Sequence, residues 1–273
     1  MRRPLVAIAT AVALAAAGCG DDAVTTTATA PPEQPPRYEV TTTVLESADH
    51  GPQLCLGGIA DSYPPQCGGP DLAGWSWDAV TGKESAAGTT WATVRVVGTF
   101  DGERFTLTEP PGPPGDAGPP TPLPDLTPAC DQPAGTAAPA EAFAGVGGVP
   151  GEVAVWVSDP AGGEWDGPFT VNVVVRPGSG PAAEARVREM WAGPLCVVER
   201  DLPSAADLAA VQEEAHAGGG PGTPLGTVFA SWPEPREGVV VLSVAVADEA
   251  AVAYAAERWG DLVRLEGILT PIG

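Results

Sequence analysis

The sequence predicts an α+β protein in which a small antiparallel β-domain is followed by a ferredoxin-like α+β sandwich domain. Three observations lead there. Short apolar or β-branched runs divided by turn residues fill 38–108. A stretch with nine prolines follows at 109–128. From 129 to 273, strand-like runs alternate with segments of helical period.

In the first half, Thr41 to Leu45 and Gln53 to Leu56 read as strands. The run from Thr90 to Thr108 breaks at Asp101-Gly102, a pair that accepts positive φ and so predicts a hairpin. Residues 109–128 cannot form helix or central strand, because each proline lacks an amide donor, and they read as a linker. Within it, Gly112 to Pro120 gives three G-X-Y triplets, too few for collagen. No longer internal repeat is apparent.

In the second half, Val153 to Val157, Phe169 to Val175 and Leu195 to Val198 read as strands. Pro181 to Trp191 reads as a helix with Val187, Met190 and Trp191 on one face. Ser204 caps a helix whose inner face is Leu208, Val211 and Ala215. Val239 to Val246, an Asp248-capped helix bearing Val252, Ala256 and Trp259, and Leu262 to Leu269 complete a β-α-β ending.

The amino-terminal segment is an address. Arg2 and Arg3 precede an uncharged stretch from Pro4 to Ala17, too short for a transmembrane span, so 1–18 reads as a signal peptide. Ala16-Ala17-Gly18-Cys19 resembles the lipobox of bacterial lipoproteins, although Ala16 stands where that box usually has Leu. The resemblance implies lipidation of Cys19 and anchorage on the extracytoplasmic face of the cell membrane. Residues 19–37, with little to bury and several prolines, read as a disordered tether.

Charge narrows the partners. A formal net charge of -22, with Lys83 the only lysine, leaves no basic stripe for a phosphate backbone, so no nucleic-acid partner is expected. The remaining cysteines, Cys55, Cys67, Cys130 and Cys196, are even in number in an oxidising compartment and allow three pairings. A local Cys55–Cys67 loop around Tyr63-Pro64-Pro65 is the simplest, with Cys130–Cys196 by elimination. No C-x-x-C pair occurs, and His50 and His216 stand far apart, so no metal site and no cofactor are assigned.

Catalytic motifs are missing. No G-x-S-x-G, H-E-x-x-H or P-loop occurs, and no catalytic residue is assigned. Trp75, Trp77 and Trp91 could form an aromatic shelf for sugar rings, with Asp71 and Asp78 nearby. Core packing in a domain poor in Phe and Leu is the competing reading. Asp159, Glu164 and Asp166 in a Gly-rich loop could converge on calcium, although their spacing is not that of an EF-hand.

Three segments, Leu54-Cys55-Leu56-Gly57, Ser62 to Pro70 and Gly74-Trp75-Ser76-Trp77-Asp78, resemble an uncharacterised group of secreted lipoproteins from high-GC Gram-positive bacteria. The resemblance covers mainly 52–108. It implies export and a paired Cys55 and Cys67, and it transfers no functional residue. The functional expectation is a noncatalytic binding or scaffold module with an envelope partner. A glycan hydrolase using carboxylates near Trp75 and Trp77 is the alternative, and calcium-dependent adhesion a third reading. Neither the partner nor the oligomeric state is read from sequence.

Overall fold

Alternating apolar positions draw the first strands into a barrel. The computed structural model describes residues 34–115, 126–131, 146–158 and 169–273, and six strands precede residue 108: β1 (Arg37–Glu46), β2 (Gln53–Leu54), β3 (Asp71–Ala73), β4 (Glu84–Ala86), β5 (Thr89–Phe100) and β6 (Arg104–Leu107). β1 and β5 pair antiparallel along their length, from Arg37↔Thr99 to Glu46↔Thr90. β1 also pairs with β2, β2 with β3, β3 with β6 in parallel, and β6 with β5, which closes a circuit of five strands. The circuit holds one parallel pair, β3 with β6, among antiparallel ones. The order assigns no ligand.

Residues of alternate parity fill the interior. Val44, Leu54, Ala92, Val94, Val96 and Phe105 are buried together, each contributing up to about 1.5–3 kcal/mol for the larger side chains. Gly98 is required here, because a Cβ at this position would lie 2.5 Å from the Phe105 ring and 2.2 Å from the Thr106 carbonyl oxygen. The hairpin expected at Asp101-Gly102 is present: Gly102 has φ 102°, and Asp101 Oδ1 accepts from the amides of Glu103 (3.0 Å) and Arg104 (2.7 Å).

The second half is built twice from one plan. β7 (Glu152–Ser158), β8 (Thr170–Val175), α1 (Gly180–Arg188) and β9 (Leu195–Glu199) form the first copy. After α2 (Ala205–Gly218), β10 (Val228–Glu234), β11 (Val239–Val244), α3 (Glu249–Trp259) and β12 (Val263–Gly267) form the second. In each copy the first two strands pair antiparallel, with a register shift near the start of the first, and the third strand returns parallel to the second after the helix. A parallel neighbour needs such a crossover. Buried residues of the two crossovers match at constant offset: Ala183 with Ala251, Val187 with Ala255, and Trp191, just past α1, with Trp259.

The ferredoxin-like expectation of one four-stranded sheet differs from the two three-stranded sheets observed, β7-β8-β9 and β10-β11-β12. The physical reason is β10, absent from the sequence reading. It contains Pro233, follows a glycine-rich stretch and is half-exposed, as an edge strand can be. With it, the chain after α2 repeats the plan, contrary to the expectation of no internal repeat. The face of α3 is also rotated from that expected: Ala251 and Ala255 are buried and Val252 is 50% exposed. Small alanines let the helix approach the sheet closely. α2 buries Leu208, Val211 and Ala215 as expected, with Ser204 and Asp207 forming a capping box.

The final strand, β13 (Thr270–Ile272), leaves the second half and pairs antiparallel with Arg37–Glu39 of β1. Leu269 and Ala245 enter the barrel core with it. Among the described residues, no helix is long and apolar enough to cross a membrane.

Candidate functional site

Both expected cysteine pairs are present, Cys55–Cys67 with Cα atoms 5.5 Å apart and Cys130–Cys196 at 5.8 Å. The first staples the connection from β2 to β3. The second docks the end of the proline-rich segment on the sheet of β8, where Asn172 is fully buried. Its Oδ1 accepts from the Ala129 amide at 2.7 Å, and its amide donates to Ser158 Oγ at 2.8 Å. Trp156 Nε1 donates to the Thr127 carbonyl at 3.0 Å, and the Arg236 guanidinium lies 4.0 Å from a Trp156 ring centroid.

The three tryptophans divide. Trp75 and Trp77 meet edge to face at 5.0 Å and pack half-buried against the barrel core. Trp77 Nε1 donates to Glu46, whereas Trp75 Nε1 is buried with no hydrogen-bond partner among the described residues. Trp91 has the parity opposite to the interior positions of β5 and meets Tyr63 edge to face at 5.6 Å. Asp71 accepts from Gln53 at 3.1 Å and lies 3.9 Å from Arg104, and Asp78 sits on an exposed 3-10 turn.

His50 Nδ1 is 2.7 Å from its neighbouring Gly51 carbonyl. His216 Nε2 lies 2.8 Å from Ser231 Oγ, to which Gln212 also donates at 3.0 Å. This pairing joins α2 to the unexpected β10, so no sequence motif could reveal it. No carboxylate is seen to orient the other imidazole nitrogen among the described residues. The pair therefore has a nucleophile and a base without the third group that fixes a tautomer. No group of three or more His, Cys, Asp or Glu suited to a metal occurs among the described residues. Cys19 and the loop of Asp159, Glu164 and Asp166 lie outside them.

A broad concavity lies elsewhere, between one end of the barrel and the second ββαβ copy, with a volume of about 1540 Å³. The hairpin Phe100 to Glu103 forms one wall, the stapled loop with Gly57 and Gly69 another, and Phe229 with Asp248 the third. Neither Trp75, Trp77, Asp71 and Asp78 nor the Ser231–His216 pair lines it. Gly69 permits the chain to pass close, since a Cβ there would lie 1.8 Å from the Leu54 carbonyl oxygen.

Tyr38 stands at the base of this cleft. It is only 8% exposed, with its ring in the barrel core. Burial first, and then the negative charge of Asp248, push its hydroxyl above the ordinary tyrosine value, so it stays a protonated donor at neutral pH. Asp248 Oδ1 caps α3 by accepting from the Ala251 amide at 2.8 Å. Across the cleft, the amides of Arg104 and then Glu103 hold the Asp101 carboxyl below the ordinary aspartate range. No family model, curated protein or solved structure matches the chain.

Proposed function

We propose that this is a lipid-anchored protein of the extracytoplasmic membrane face, serving as a noncatalytic binding or scaffold module of the cell envelope. It is of the kind implied by its resemblance to secreted lipoproteins of high-GC Gram-positive bacteria. The cleft carries the reading: two differently built parts of the chain frame a broad concavity whose lining combines apolar rings with carboxylates, a surface suited to holding a partner. Two disulfides add support, because such bonds persist where thiols are oxidised. The lipobox-like sequence ending at Cys19 supports anchorage.

The experiment is an intact mass of membrane-fraction protein before and after reduction, compared with a Cys19→Ala variant. Acyl chains on the wild type, the mass gain of opening two disulfides, and release of the variant into the medium are expected. An unlipidated mass would overturn the anchor. A turnover activity lost in Ser231→Ala would overturn the noncatalytic assignment.

A further inference from the structure

The charge lining the cleft is of one sign. Asp101, Glu103 and Asp248 contribute carboxylates, and no Lys, Arg or His is found among its described lining residues. Asp101 spends one oxygen on the hairpin and Asp248 one on its helix cap. The second oxygen of each has no partner among the described residues. A second, independent observation points to a ligand. Tyr38 is more than nine-tenths buried and is one of the residues bordering the cleft, and its hydroxyl makes no hydrogen bond to any described residue. The hydroxyl is not among the fully enclosed polar atoms that lack a partner, so it is open at the cleft and free to donate.

We propose that the cleft binds a basic segment of a partner polypeptide, an extended stretch carrying arginine or lysine, and this rests on the binding-module reading above. The Tyr38 hydroxyl meets a main-chain carbonyl of that segment, and the carboxylates meet its cationic head. The half-buried rings of Phe100 and Phe229 offer apolar surface for the stem of a long basic side chain or the face of a guanidinium. A polypeptide fits better than a small amine because the volume, about 1540 Å³, exceeds the roughly 300–1,000 Å³ of ordinary small-molecule sites. Wall glycines such as Gly58, Gly68, Gly102 and Gly222 have open space where a side chain would stand, which leaves room for an extended chain.

The test is fluorescence anisotropy on the purified full chain with two labelled heptapeptides, Gly-Leu-Arg-Gly-Arg-Leu-Gly and its counterpart with Glu in place of Arg. The arginine peptide is expected to bind and the glutamate peptide not. Glu103→Gln with Asp248→Asn should raise Kd about tenfold, and Asn at 248 preserves the helix cap. Tyr38→Phe should raise Kd by about threefold to tenfold, the loss of one hydrogen bond, without lowering the melting temperature. Because the whole chain is acidic, a control replaces Glu184 and Glu213, neither of which lines the cleft, with Gln. An equal loss in that control makes the attraction diffuse and overturns the proposal, as does failure of the arginine peptide to bind. Preferential binding of the glutamate peptide overturns the charge assignment and leaves the binding-module reading standing. Only a turnover activity removes that broader reading.

Discussion

Trp191 and Trp259 occupy equivalent places in the two ββαβ copies, each at the close of its crossover and just ahead of the third strand, and each is buried, at 1% and 6% exposure. Their indole donors differ. Trp191 Nε1 bonds the Pro194 carbonyl at 2.8 Å within its own copy, whereas Trp259 Nε1 bonds Glu214 of α2 at 3.1 Å. Trp191→Ala and Trp259→Ala should each cost about 3–5 kcal/mol. Urea titration reads both, and a loss under 1 kcal/mol at either site would end the claim that the copies share an anchor.

Gly98→Ala should destabilise the barrel by about 1–3 kcal/mol through overpacking, because the added methyl meets the Phe105 ring and the Thr106 carbonyl. Combining it with Phe105→Leu relieves the ring contact and leaves the main-chain one. Partial recovery of stability in that double variant, measured by thermal denaturation, is the expected outcome.

Asn172→Ala removes the acceptor for the Ala129 amide and the three contacts its own amide makes, to the Trp156 and Thr170 carbonyls and Ser158 Oγ. The expected cost is about 1–3 kcal/mol for the groups left unpaired. Limited proteolysis within 126–131 should also accelerate while the Cys130–Cys196 bond stays closed. Cleavage unchanged from wild type would show that the disulfide alone holds that segment.

Three exposed carboxyls lie below their ordinary values because hydrogen bonds favour the charged form. Backbone amides of Gly178 and Gly180 act on Glu199, the Ser204 hydroxyl and then its amide on Asp207, and the amides of Arg104 and Glu103 on Asp101. A depressed folded value means stability present above the ordinary 4.5 of glutamate and 3.8 of aspartate, and lost as pH falls through the folded values. NMR titration should show the Gly180 amide, 2.8 Å from Glu199, shifting below pH 4.5 with a midpoint under that value. A midpoint above it would contradict the assigned bonds.

Tyr38 gives the opposite sign. Its raised folded value means that its contribution is present below 10.0 and lost as pH rises through the folded value. Absorbance titration of wild type against Tyr38→Phe should subtract a phenol that ionises above pH 10.0.

Much of the fold is legible where local chemistry fixes it. Asp101-Gly102 gives a turn from two residues, Ser204 and Asp207 cap a helix within one turn, and Cys55 and Cys67 are near in sequence. The duplication is hidden because matching positions carry different residues: Val187 answers Ala255, and Leu195 answers Val263. Edge strands with Pro233 or Pro271 lack the alternation that marks a half-buried strand. The cleft is illegible for another reason. Tyr38, Glu103 and Asp248 come from three distant stretches, and only the strand order brings them to one concavity.

Pairing of Thr270–Ile272 with Arg37–Glu39 has a kinetic meaning. A chain made amino end first exposes the outer edge of Arg37–Glu39 until Thr270–Ile272 arrive. During that interval the open main-chain groups of Arg37–Glu39 can recruit a strand from any neighbour. Cover for that edge thus waits on a contact of large sequence separation, a kind that forms late.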